Sequence, residues 1–147
     1  MSLKELAESA VEEGVHRLLI IDRWKGGPGR IRLYRIKDGN MVQVPPQISI
    51  QGIKLQREFG MGERALNSLI IGRPLHESSE TRMLAHALSD FFNIPVMDID
   101  EAGSRCEAVM QIQLDANELI SLSFFLLPKM IEIGPRVTIS HLVWNLS

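Results

Sequence analysis

The chain has 147 residues, with 16 Lys and Arg against 18 Asp and Glu, a formal net charge of -2, 45% hydrophobic residues and 23% charged ones. That length suits a single domain of about 150 residues, and that composition excludes collagen-like, coiled-coil, low-complexity and disordered chains. The charge is uneven: residues 1–60 carry +3 and residues 61–147 carry -5, while residues 23–57 hold eight Lys or Arg against Asp38 alone, a local +7 suited to a polyanion. No window approaches the run of about 18 apolar residues that a membrane helix needs. The opening MSLKELAESAVEEG lacks the basic and apolar regions of a signal peptide, and the single Cys106 has no partner thiol. These features lead us to expect a cytoplasmic protein with a buried, inert thiol.

The first predicted element is a helix capped by Ser2, with Glu5 completing a capping box and Leu3, Leu6, Ala7, Ala10 and Val11 on one stripe; Gly14 stops it. LLIID at 18–22 reads as a strand buried on both faces. The loop RWKGGPGR, 23–30, follows, and then IRLYRIK at 31–37 forms a hairpin with MVQV at 41–44 across Asp38-Gly39-Asn40. Pro45-Pro46 is expected to end that strand. In residues 47–57 the apolar phase shifts at Gly52, which predicts a β-bulge there.

EFGMGERA, 58–65, is the expected internal boundary. A second cycle follows, with a strand at 67–72, a helix capped by Ser78 or Ser79 that turns Leu84, Ala87, Leu88 and Phe91 inward, and a strand PVMDID at 95–100. AVMQIQ and LISLSFFLL then pair across the turn DANE, and RVTISHLVW is the last strand. The run Phe124 to Leu127 is read as buried rather than as a partner surface. The two halves, 1–58 and 66–147, look like one strand-helix-strand-hairpin unit used twice. The first copy has no counterpart to NSLIIG, so the comparison predicts either a truncated chain or a natural short start capped by Ser2.

SLKELAESAVEEGVHRLLIIDRWKGGPGRIRLYRI followed by ISIQGIKLQREFG resembles the central part of archaeal Brix-domain proteins: a helix, a strand, a basic Gly-Pro-Gly loop and a basic strand. NSLIIGRPLHESSE, VMDID and IGPRVTISHLVW are similar in order and spacing to the rest of that domain. Residues 15–36 carry the most specific likeness. The resemblance implies an α/β, or α+β, fold of duplicated halves with mixed sheets, each half similar to the anticodon-binding domain of certain aminoacyl-tRNA synthetases. It implies a noncatalytic role in ribosome biogenesis, through binding of ribosomal RNA precursors and of ribosomal or assembly proteins. It also implies a family lead, a strand and basic segment before an Arg-Gly-Lys turn, that this sequence lacks.

The expected RNA-binding residues are Arg23, Trp24, Lys25, Arg30, Arg32, Tyr34, Arg35, Lys54 and Arg57. Arg30, Arg32 and Tyr34 share strand parity, so two guanidiniums and an aromatic ring stand side by side as a platform for single-stranded RNA; each phosphate contact would release counterions. The competing readings are a solvated strand face and, for Trp24, packing onto the core. A protein scaffold whose basic face meets an acidic partner is the alternative function.

No cofactor or metal is expected. KGGPGR lacks the ending of a P-loop and precedes a strand, so no helix dipole faces an anion. His16, His76, His86 and His141 are scattered. Asp98, Asp100 and Glu101 suit a solvated acidic loop better than a Mg²⁺ site. His86 with Asp90 reads as a surface pair, and Ser78, Ser79 and Glu80 near Arg73 as capping before anion binding.

Overall fold

In a computed structural model of the chain, described over residues 2–23, 29–54, 68–74, 78–103 and 105–146, helices and strands follow one another in a mixed α+β order. α1 (Leu3–Glu12) begins as its sequence dictates. The Ser2 hydroxyl accepts from the Glu5 N–H at 3.1 Å, and the Ser2 N–H donates to the Glu5 carboxylate at 3.0 Å, which satisfies two backbone donors at the helix start. Gly14, at φ +74, takes the left-handed conformation that closes the helix.

β1 (Arg17–Arg23), β2 (Gly29–Lys37) and β3 (Asn40–Lys54) form an antiparallel meander. Asp38 and Gly39 link β2 to β3 at φ +51 and +78, the sign that a type I′ turn requires at both central positions. α1 packs against β2, burying Ala7 and Ala10, whose small side chains permit a close approach. Ile31, Leu33 and Ile48 are buried in the strands.

Two expectations fail in this meander. β1 is not covered on both faces: Leu19 is 40% and Ile21 58% exposed. It stands last in the strand order, with β2 as its strand neighbour among the described residues, and the helix lies against β2. The second failure concerns β3, which runs through Pro45-Pro46 instead of ending there. Its irregularity lies opposite β2, where Ile31 and Leu33 pair with Ile48 and Val44, so two extra β3 residues loop out. Prolines cannot donate to the ladder, and a bulge is where a strand accommodates them. The Gln43 amide donates to the Gln47 side-chain oxygen at 3.2 Å across the base of this bulge. Gly52 lies beyond it.

The chain forms two compact units, Met1–Ser49 with His141–Ser147, and Ile50–Ser140. The boundary expected at 58–65 lies outside the described residues. In the second unit β4 (Leu69–Gly72) pairs in parallel with β5 (Val96–Met97) on one side and β6 (Ala108–Leu114) on the other. β7 (Ile120–Leu126) pairs antiparallel with β6, with the short β8 (Ile131–Glu132) and with β9 (Arg136–Val143). Phe124 to Leu127, expected to be buried, are half-buried.

α2 (Ser79–Phe92) takes Ser78 as its cap, with the hydroxyl accepting from the Thr81 N–H at 3.1 Å. Its inward face is Thr81, Leu84, Ala85, Leu88 and Phe91, and it packs against β5 and β6. PVMDID does not make a six-residue strand: β5 holds two residues, Asp98 turns the chain, and α3 (Ile99–Ala102) follows. α3 is held down by Ala102, which joins Ile70 and Val109 in a core flanked by Ile99, Phe125 and Met130. Gly72 fits closely at this junction: a Cβ there would lie 3.1 Å from Val109 Cγ2 and 3.3 Å from Ile99 Cγ1, so a larger residue would make those side chains shift by a few tenths of an ångström.

Candidate nucleic-acid interface

The β1–β2 ladder fixes which basic residues share a face. Asp22 stands opposite Arg30, Ile20 opposite Arg32 and Leu18 opposite Tyr34, so these six side chains lie on one side. Leu19, Ile21, Ile31 and Leu33 lie on the other, together with Arg17, Arg23 and Arg35. Arg17 stands directly opposite Arg35.

On the first face Asp22 bridges the two guanidiniums. Arg30 Nε donates to Asp22 Oδ1 at 2.9 Å, and Arg32 Nη2 donates to Asp22 Oδ2 at 2.7 Å. The arginine side chains are 18% and 15% exposed, and that of Asp22 is 33% exposed. The hydrogen bond from Arg30, helped by the positive charge of both arginines and opposed by partial desolvation, holds the Asp22 carboxyl below its ordinary value of 3.8. Arg32 Nη1 also donates to the Tyr34 hydroxyl at 3.0 Å, with its guanidinium carbon 5.7 Å from the ring centroid. The buried Arg32 Nε has no hydrogen-bond partner among the described residues.

The structure thus brings Arg30, Arg32 and Tyr34 together, as parity predicts, but as a packed cluster. Tyr34 is 5% exposed, so its ring is not open for a base to stack upon. The two arginines keep fixed orientations because one carboxylate holds both. Arg23 is exposed at the end of β1, Arg35 is half-buried on the opposite face, and Lys54 is exposed at the end of β3, in the second unit. Trp24, Lys25 and Arg57, like most of KGGPGR, lie outside the described residues.

Sequence reasoning missed two members of this region. Asp22 sits one residue before the window that sums to +7, yet it stands between the arginines and offsets part of their charge. Arg17 lies six residues before the same window, and its place opposite Arg35 follows from register alone. The charge count along the chain was therefore sound, but antiparallel pairing folds residues 17–22 back onto the basic strand.

The other candidate residues fall elsewhere. Asp98 pairs with Arg73 at 2.9 Å, beside Asp100 and Glu101. Among the described residues no group of three His, Cys, Asp or Glu is placed to hold a metal ion, and no helix is long and apolar enough to cross a membrane. His86 and Asp90 line a shallow cleft at the end of α2. The cap of α2 is satisfied by Ser78 and Thr81. His76 lies outside the described residues.

No protein-family model matches the chain. Among curated proteins it is 29% identical over 117 residues to the probable Brix domain-containing ribosomal biogenesis protein of Aeropyrum pernix, covering 78% of this chain and 63% of that protein. It is 33% identical over 82 residues to the protein of the same name from Pyrococcus abyssi, covering 56% of this chain and 35% of that one. It therefore spans less than two thirds of the length of either relative. The crystal structure of a probable ribosomal biogenesis protein from Aeropyrum pernix K1 superposes on all of the chain, and on 78% of its own, with a TM-score of 0.74 at 20% identity. That likeness is one of fold.

Proposed function

With a chain that is a relative of the archaeal Brix domain-containing proteins as premise, we propose that it acts in ribosome biogenesis as a noncatalytic, cytoplasmic factor that contacts precursor ribosomal RNA through its basic strands. The names of its relatives support the biogenesis role. The observation that carries the RNA reading is the pair of guanidiniums on one face of β2, held in register by Asp22, with Arg17, Arg23 and Arg35 on the other face of the same two strands.

Ordering an arginine before it meets a phosphate lowers the entropy lost on binding, and its planar fork suits a phosphate oxygen pair. Asp22 supplies that ordering to Arg30 and Arg32. Arg23 and Arg35 in the first unit, and Lys54 in the second, add positive charge, and phosphate contacts of such residues are nonspecific and salt-dependent. Tyr34 serves in this reading as the rest on which Arg32 lies, and not as a stacking surface.

The test measures binding of the whole chain to a structured ribosomal RNA fragment across a potassium chloride series. Wild type is compared with an Arg23→Gln, Arg35→Gln, Lys54→Gln triple variant, which leaves the Asp22 cluster intact, and with Arg30→Gln, Arg32→Gln. Each phosphate that a variant no longer neutralises should lower the salt slope by about one and weaken binding without regard to RNA sequence. Unchanged affinity and slope in both folded variants would remove the basic strands as the RNA surface.

A further inference from the structure

The second unit holds a polar cleft that the RNA reading does not use. β4 is flanked in parallel by β5 and β6, and the chain leaves β4 and β5 at the same end, at Arg73 and Asp98. Ile71 pairs with Met110, which brings the next residue of β6, Gln111, level with the end of β4. Parallel strands that diverge to either side of a central strand leave a crevice beyond their carboxyl ends, the usual place of ligands in open α/β sheets. Here the crevice has a volume of about 600 Å³.

Gln111 is its innermost lining residue, 7% exposed. Among the described residues its side-chain amide has no hydrogen-bond partner, although it sits between the buried Met110 and Ile112. The residue is nine-tenths buried, so what exposure it keeps opens its amide to the cleft, where a ligand group could pair with it. Ile99 and Met130 supply apolar walls. Arg73, Asp98, Asp100 and Glu101 surround the mouth, and Arg73 is engaged by Asp98, which leaves a net charge of -2.

The geometry points to a docking site for an arginine side chain of a basic polypeptide partner. A guanidinium offers N–H donors in a planar fork, matched to the carboxylates of Asp100 and Glu101 and to the amide oxygen of Gln111. Its methylene stem fits between Ile99 and Met130. A nucleic acid is repelled by the same carboxylates. A bare metal ion is a poor match to a crevice this large, and the described residues bring no three metal-ligating side chains together. This inference stands apart from the RNA reading, since every residue in it belongs to the Ile50–Ser140 unit.

The test is a ¹H–¹⁵N titration of the whole chain with the blocked tripeptide acetyl-Gly-Arg-Gly-amide, beside its lysine and glutamate counterparts and MgCl₂ alone. The arginine peptide should shift the Gln111 side-chain NH₂ and the backbone amides of residues 98–101 to saturation. An Asp100→Asn, Glu101→Gln variant, changed at exposed positions, should bind at least about tenfold more weakly, since it neutralises both carboxylates that meet the guanidinium. Gln111→Leu should also bind more weakly, because the amide oxygen that meets the guanidinium is gone. Should that variant fail to fold, the surface pair still decides. Absence of saturable shifts at these groups overturns the assignment. So does equal binding by the lysine peptide, an undiminished affinity in the surface variant, or the same shifts produced by Mg²⁺ in place of the peptide.

Discussion

β1 and β6 are each seven residues long, RLLIIDR and AVMQIQL, and each reads in sequence as an apolar run. Their fates are opposite. β6 lies between β4 and β7, and its first five residues are buried; β1 has β2 as its strand neighbour, and none of its residues is buried. An apolar run reports that a strand forms, whereas the neighbours it acquires decide whether it sits inside. β1 compensates with polar ties: the Asp22 carboxylate fastens it to two arginines of β2. β6 is instead anchored by packing, against Ile70, Ala102 and Phe125 through Val109.

Three substitutions sharpen this contrast, read by chemical denaturation with circular dichroism. Ile112→Ala, at a fully buried β6 position, should cost about 2–5 kcal/mol, since it removes transfer free energy and leaves a cavity. Asp22→Asn should cost about 1 kcal/mol, the modest worth of a partly exposed pair. Its cost should also depend on pH. The folded-state carboxyl titrates below its ordinary value, so the pair stabilises at neutral pH, and the gap between wild type and Asp22→Asn should close as acidity increases from about pH 4 downward. A gap that instead widened in acid would mean that Asp22 is not held as the anion. Ile21→Ala, at the most exposed apolar position of β1, should change stability by less than about 0.5 kcal/mol. A loss equal to that of Ile112→Ala would show β1 to be covered in solution.

What the sequence made legible is what local chemistry determines. The capping box at Ser2, a serine cap at Ser78 or Ser79, the stop at Gly14 and the turn at Asp38-Gly39 depend on residues within four positions of each other, and all are present, the second cap being Ser78. The exposure of β1 depends on strand order, and the brevity of β5 on Asp98 giving way to a helix whose Ala102 fills the core. Neither is written in a periodicity. The candidate basic cluster was legible in membership but not in state: parity placed Arg30, Arg32 and Tyr34 together, while the burial of Tyr34 and the entry of Asp22 came from pairing. Gln111 carried a signal that composition hides, an amide set between Met110 and Ile112 in the stretch AVMQIQ.

The bulge at Pro45-Pro46 has a consequence for length variation. Between their pairings with Leu33 and Ile31, Val44 and Ile48 span four residues where β2 spans two. The surplus is even, so the alternation of faces passes through the bulge intact. Deleting a single residue here would reverse the phase of everything downstream in β3, sending Ile48 and Ile50 outward and Ser49 inward, whereas deleting two would leave every face as it is. In this strand the tolerated unit of insertion or deletion is the dipeptide.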